Sequence, residues 1–82
     1  MNTIETMQAL LQTLDPTFLQ IHDDSHEHVG HAGAKSGGHF TVEIASPRFA
    51  GLSKIAQHRL VYAALGDLQV LKIHALRILV RG

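Results

Sequence analysis

The segment HFTVEIASP, residues 39–47, has the pattern of a half-buried β-strand. Apolar and polar side chains alternate along it. The apolar ones are Phe40, Val42 and Ile44, and the polar ones are His39, Thr41 and Glu43. Successive side chains of a strand point to opposite faces of the sheet, so this alternation predicts one face packed on a core and one polar face. Ser46-Pro47 ends the strand, because proline cannot donate a hydrogen bond to the ladder.

The residues before this strand predict a helix and a shorter strand. After a polar start that contains Thr3, apolar residues recur at helical spacing, namely Ile4, Met7, Leu10, Leu11 and Leu14. Asp15-Pro16 blocks continuation of this helix, and Phe18 to His22 then reads as a strand. The glycine-containing chain from there to Gly38 exceeds the usual hairpin connection, which makes it a candidate functional loop.

The residues after the central strand predict a second helix and a third strand. Ser53 is a plausible N-cap for a helix from Lys54 to about Leu65, with Gly66 near its end. This helix has five apolar positions available for burial, namely Ile55, Leu60, Val61, Ala64 and Leu65. Lys72 to Val80 alternates again, and this alternation places His74 on one face with Leu76, Ile78 and Val80.

The order helix–strand–strand–helix–strand restricts how these elements assemble. The first two strands should form an antiparallel hairpin, and the crossover helix favours a parallel, right-handed arrangement of the second and third strands. Those two strands then begin at the same end of the sheet. We therefore expect His28, His31 and His39 to approach His74 there.

The composition excludes several classes of site. The 82-residue chain has room for one modest core, and without cysteine it cannot form a disulfide or an iron–sulfur site from its own thiolates. No apolar run approaches the ~20 residues of a membrane span, and the first residues lack a signal-peptide pattern, so a cytoplasmic location is expected.

Bases predominate after residue 45. This charge asymmetry fits a binding surface for nucleic acid or an acidic partner, or simply two solvated faces.

Histidine is the residue type best suited to chemistry in this chain. Imidazole binds zinc, copper, nickel and iron, and it titrates near neutral pH. His-Glu-His at 26–28 lacks the spacing of a helical HExxH site, and no phosphate-binding glycine motif, CxxC motif or oriented Ser–His–Asp triad occurs, so we predict no enzymatic activity.

Each histidine also has a purely structural interpretation. His22 and His39 can serve as hydrogen-bonding residues at strand ends, and the histidines of residues 26–31 can be solvated. His74 can be a partly buried core residue, because its alternation groups it with apolar neighbours. Storage of zinc or copper by histidines alone is a further alternative.

Four segments in order together resemble the BolA family, in a match that extends over nearly the whole chain: DDSHEHVGHAG at 23–33, GGHF at 37–40, SPRFAGLSKIAQHRLVYAAL at 46–65 and IHAL at 73–76. The resemblance implies a single BolA-like domain over residues 1–82. It also implies an α+β fold of the class II KH type, with a three-stranded mixed sheet covered by helices on one face. A short extra turn is expected near Pro47 to Gly51.

The same resemblance implies a partner and a cofactor. BolA proteins act with monothiol glutaredoxins in handling [2Fe–2S] clusters, in iron homeostasis and cluster trafficking. In such a complex the glutaredoxin and glutathione supply thiolates, and the BolA-like protein supplies a histidine at the start of its last strand and a ligand from its long loop. His74 matches the first position, and His28 or the additional His31 matches the second. The chain without its partner is expected to be a monomer.

The family resemblance also implies an alternative function in transcriptional control. DNA would then contact the helix from Ser53 to Leu65, with Lys54, His58 and Arg59 exposed towards phosphate. Binding of that kind would be electrostatic and strongly dependent on salt. The neutral net charge weakens this alternative.

Overall fold

The order of elements confirms the α+β fold expected from the sequence. The computed structural model describes residues 2–25 and 38–81. Its helices are α1 (Thr3–Leu11) and α2 (Lys54–Leu65), and its strands are β1 (Phe18–Asp23), β2 (Gly38–Ala45) and β3 (Ile73–Val80). Short 3₁₀ turns at Gln12–Leu14 and Pro47–Phe49 complete the order, and the second of these is the extra turn expected near Pro47.

Helix α1 begins and ends for local reasons. The side chain of Asn2 caps its first turn by accepting a hydrogen bond from the backbone N–H of Glu5 at 2.8 Å. After the following 3₁₀ turn, Asp15 adopts a left-handed conformation with φ of 51°. α1 itself ends at Leu11. The 3₁₀ turn ends at Leu14, directly before Asp15-Pro16, because the helical conformation is disfavoured for a residue before proline.

The sheet has the strand order β1-β2-β3, with β2 in the centre. β1 pairs antiparallel with β2, from Phe18 opposite Ala45 to Asp23 opposite Phe40. β2 pairs parallel with β3, so both strands begin at the same end of the sheet. Both strand directions agree with the sequence prediction. No helix in the described part of the chain has the length and apolar character needed to cross a membrane.

One face of β2 forms the centre of the core. Phe40, Val42 and Ile44 are buried, as their alternation predicts, and they belong to one cluster that also contains residues of both helices and β3, namely Met7, Leu11, Val61, Leu65, Ile73 and Ile78. Leu19 and Ile21 of β1 pack against this cluster. The helices therefore cover one face of the sheet and leave the polar side chains of β2 on the other.

Helix α2 contacts the core through a narrower stripe than the sequence predicts. Ser53 caps the helix as expected, with its Oγ accepting from the Ala56 N–H at 3.1 Å. Val61 and Leu65 are buried, but Ile55 is 66% exposed, so its predicted burial is wrong. Because an α-helix turns by roughly 100° per residue, Ile55 lies about 120° around the axis from Val61.

Gly38 is required by a close approach inside this fold. A Cβ atom at this position would lie 2.5 and 2.8 Å from two ring carbons of Phe40, and 3.2 Å from Ser25 Oγ. The ring of Phe40 is buried in the core and cannot move aside freely.

We therefore expect Gly38→Ala to lower the free energy of unfolding by about 1–3 kcal/mol, the usual cost of overpacking. Urea denaturation followed by circular dichroism measures this loss. In a Phe40→Leu background, which lacks the two ring carbons, the same change should cost clearly less. An equal cost in both backgrounds would show that the Phe40 ring is not the obstacle.

Candidate functional site

The residues that flank the histidine-rich segment 26–37 are hydrogen-bonded at the end of the sheet where β2 and β3 begin. The N–H of Gly38 donates to the carbonyl of Lys72 at 2.9 Å, which ties the beginning of β2 to the turn before β3. The N–H of His39 donates to Ser25 Oγ at 3.0 Å, and the N–H of Asp24 donates to the His39 carbonyl at 2.7 Å. The described residues on either side of segment 26–37 are therefore both hydrogen-bonded at the end of the sheet where β2 begins.

His74 is exposed at this end of the sheet. Along the β2–β3 ladder Gly38 pairs with Ile73, but His39 pairs with Ala75, so the register shifts by one residue and His74 lies at the irregular step. Ile73 is only 5% exposed and packs in the core, whereas His74 is exposed.

The expectation that His74 shares a face with Leu76, Ile78 and Val80 assumed regular alternation, and it is wrong. An extra residue in one strand reverses the faces of the side chains before it. The interpretation of His74 as a core residue is excluded for the same reason.

His39 is the histidine that the described fold brings to His74. The centroids of the two imidazole rings lie 5.2 Å apart, with the ring planes tilted by 54°. The sequence prediction that His39 approaches His74 across the parallel strands is therefore confirmed. The other predicted partners, His28 and His31, lie outside the described residues.

The described residues do not form a metal-binding cluster by themselves. Among residues 2–25 and 38–81 there is no cluster of three or more histidine, aspartate or glutamate side chains suited to hold a metal ion. His74 offers an exposed imidazole, which is a good donor for iron, zinc or copper. A metal bound to His74 would take further ligands from residues outside these ranges or from another molecule.

The hydrogen bonds of Asp24 and Ser25 to β2 are a feature that sequence reasoning missed. Thr41 is buried, and its hydroxyl donates to Asp24 Oδ2 at 2.5 Å. With the contact of Ser25 Oγ to the His39 N–H, this bond joins the segment Asp24-Ser25 to β2. Short polar side chains directly after a strand often bond to nearby backbone, and that pattern was the available signal.

His22 lies on the polar face of the sheet and takes part in a network with charged neighbours. Its Nε2 is 2.7 Å from Oε1 of Glu43, and the guanidinium of Arg81 is 3.5 Å from the other carboxylate oxygen. Arg81 also stacks over the ring of Phe18, with 4.8 Å between the guanidinium carbon and the ring centroid. This hydrogen-bonding role agrees with the structural interpretation of His22.

The three residues expected to face DNA differ in their environment. Lys54 and Arg59 are exposed on α2, as predicted. His58 is half-buried, and its Nε2 is buried without a hydrogen-bond partner in the described part of the chain, so its predicted exposure is wrong. His58 lies only about 60° around the helix from Val61, which turns it towards the core.

A sequence model of the family described as BolA-like protein matches residues 10–81 of this chain. The chain belongs to the BolA family. Its fold agrees with that assignment, because the solved structure of BolA1 from Arabidopsis thaliana superposes with a TM-score of 0.79 at 34% identity. That superposition covers 98% of this chain and 90% of the other.

Two relatives of this BolA chain have names that refer to different properties. The chloroplastic protein BOLA1 of Arabidopsis thaliana is 40% identical over 75 residues, which are 87% of this chain and 47% of that protein. The DNA-binding transcriptional regulator BolA of Vibrio cholerae is 42% identical over 71 residues, which are 87% of this chain and 65% of that protein. The chain thus spans about half to two thirds of the length of these relatives.

The buried Nε2 of His58 should lower the free energy of unfolding of this BolA fold. Since a buried polar atom without a partner costs about 1–3 kcal/mol, His58→Leu should raise the free energy of unfolding by roughly 1 kcal/mol. Urea denaturation measures the change, and Arg59→Ala at the neighbouring exposed position should shift stability by no more than about 0.5 kcal/mol. A clear loss of stability in His58→Leu would show that the imidazole is satisfied in solution.

Proposed function

We propose that this BolA chain is a non-enzymatic iron–sulfur adaptor. It binds a monothiol glutaredoxin and shares a [2Fe–2S] cluster with that protein and glutathione. This chain contributes His74 and one histidine from the segment 26–37, either His28 or His31. The expected role is iron homeostasis or cluster trafficking, with the cytoplasm as the expected compartment.

The exposed position of His74 at the end of the sheet where Ser25 and Gly38 are hydrogen-bonded is the observation that carries this proposal. Ser25 and Gly38, which flank the segment, are each tied by hydrogen bonds to the strand ends beside His74. Both flanking residues therefore lie at the end of the sheet where His74 is exposed. This arrangement supports a site built from one strand residue and one loop residue.

The available donors support a cluster that is completed by another molecule. The chain has seven histidines and no cysteine, so every thiolate on a shared cluster must come from the glutaredoxin and glutathione. Two imidazoles on one iron resemble the ligation of Rieske centres, in which histidines replace two cysteines. The cluster supplies the iron chemistry, and the residues of this chain bind and orient it.

The fold itself supports the exposure of the strand ligand. Ile73 is anchored in the core directly before His74, and Leu76 packs against the same core two residues later. Burial on both sides fixes the backbone while the irregular ladder step turns His74 outwards. A ligand held on a fixed backbone loses less entropy when a partner and its cluster bind.

Reconstitution of the chain with a monothiol glutaredoxin, glutathione, iron and sulfide tests the proposal. We expect a mixed complex whose visible absorption and circular dichroism differ from those of the glutaredoxin cluster alone. His74→Ala should remove this difference, because it removes a ligand. The control His22→Ala, which deletes a histidine bonded to Glu43 on the polar face, should retain it.

The same assay identifies the loop ligand when His28→Ala and His31→Ala are compared separately. The variant that loses the signal of the mixed complex identifies which of the two histidines is the ligand. If His74→Ala gives the wild-type spectrum, the proposed ligation is wrong.

A DNA-binding function is the second candidate, and two exposed basic residues support it. Lys54 and Arg59 are exposed on α2, and no acidic residue lies in that helix. A relative from Vibrio cholerae carries the name DNA-binding transcriptional regulator. Such contacts to phosphate would position the helix on a duplex without reading its sequence.

If DNA binds here, affinity should fall steeply as salt rises, because each phosphate contact releases counterions. A gel-shift titration at several salt concentrations measures this slope. The double variant Lys54→Ala/Arg59→Ala should bind more weakly and with a slope smaller by about two. His74→Ala is the matched control that should leave DNA binding unchanged, and absence of any shift at low ionic strength would exclude the function.

A further inference from the structure

We infer that His39 is a positioning residue for His74. The imidazole of His39 packs beside that of His74 and sets the direction in which His74 presents its ring nitrogens. The contact exists in the chain alone, and only its consequence for a cluster rests on the proposed function.

His39 has a firmly held backbone from which to act. Its N–H donates to Ser25 Oγ at 3.0 Å, and its carbonyl accepts from the Asp24 N–H at 2.7 Å. The next residue, Phe40, is buried in the core, and Gly38 is bonded to Lys72. The backbone of His39 is thus fixed on both sides, and its half-buried ring is a stable neighbour for another side chain.

His74 has less regular surroundings than His39. It is exposed, and it lies on a strand at the edge of the sheet, at the step where the ladder shifts from Gly38–Ile73 to His39–Ala75. Two residues earlier, Lys72 has a positive φ of 62°. An exposed side chain in such a place has several rotamers open to it, and a ring alongside restricts that choice.

The ring geometry fits a packing contact. A centroid separation of 5.2 Å with a tilt of 54° falls in the range in which tilted aromatic rings attract each other. The register shift is what allows this contact, because it turns His74 out of the core and towards the side on which His39 lies. The irregularity therefore both exposes the ligand and supplies its neighbour.

Holding His74 in one orientation should strengthen cluster binding without adding a bond to iron. Ordering a side chain in advance is typically worth about a three- to tenfold change in affinity. Loss of the His39 ring should therefore weaken the mixed complex by about this factor and leave the ligand set, and hence the form of the cluster spectrum, unchanged.

The first test uses the full chain without any partner. NMR of the ¹⁵N-labelled protein reports the χ1 rotamers of His74 from its coupling constants in wild type, His39→Ala and His39→Phe. We expect a dominant His74 rotamer in wild type, rotamer averaging in His39→Ala and recovery of the dominant rotamer in His39→Phe, which restores a ring. His22→Ala should behave as wild type, and an unchanged His74 in His39→Ala overturns the inference.

The second test measures the stability of the reconstituted cluster complex in the same variants. His39→Ala should weaken it by about three- to tenfold, and His39→Phe should recover most of the loss. If His39→Phe instead loses the cluster signal as His74→Ala does, His39 is itself a ligand and the inference is wrong. Should wild type form no mixed complex, the proposed function fails while the NMR comparison still decides the role of His39.

A further variant provides the test if His39→Ala does not fold. If thermal unfolding shows that His39→Ala is not folded, His39→Gln keeps a polar side chain without a ring on the polar face of β2. His39→Gln should then show the rotamer averaging of His74. A single His74 rotamer in that variant would overturn the inference in the same way.

Discussion

The parallel ladder between β2 and β3 is the interaction on which the rest of the structure depends. It joins the central strand, whose Val42 and Ile44 are fully buried, to a strand that the chain reaches only after the crossover through α2. Parallel pairing requires both strands to begin at one end of the sheet. The hydrogen bonds of Ser25 and Gly38 are made at that end, and His74 is exposed there. Core packing and site assembly are consequently achieved by the same contacts.

The site depends on a local departure from the regular pattern of this ladder. A fully regular β3 would place His74 and Ile73 on the opposite faces from those observed, because a slip of one residue reverses every side chain beyond it. The shift beside His39 allows Ile73 to enter the core while His74 faces outwards. Departures from an otherwise consistent pattern are expected where a fold also carries function.

The histidines of the described fold have different roles because their surroundings differ. His22 bonds to a carboxylate that also attracts Arg81 on the polar face of the sheet. His58 turns its Nε2 into the interior, whereas His39 and His74 pack ring against ring at the strand ends. Hydrogen-bonding partners and burial decide what an imidazole can do. Residue type alone identifies histidine as the reactive group in this chain but does not assign these roles.

The sequence by itself determined the elements, their order and the pairing of the strands. Alternation identifies the core face of β2, which carries Phe40, Val42 and Ile44. Ser53 marks the start of α2. The crossover helix favours a parallel arrangement of β2 and β3. Only the tertiary structure decided that His74 is exposed, that His58 is half-buried and that Ile55 lies outside the core. A prediction from periodicity assumes that each strand is regular and that the width of the buried face of each helix is known. The ladder shift at His39 breaks the first assumption, and the narrow contact of α2 breaks the second, since both arise from packing between elements distant in sequence.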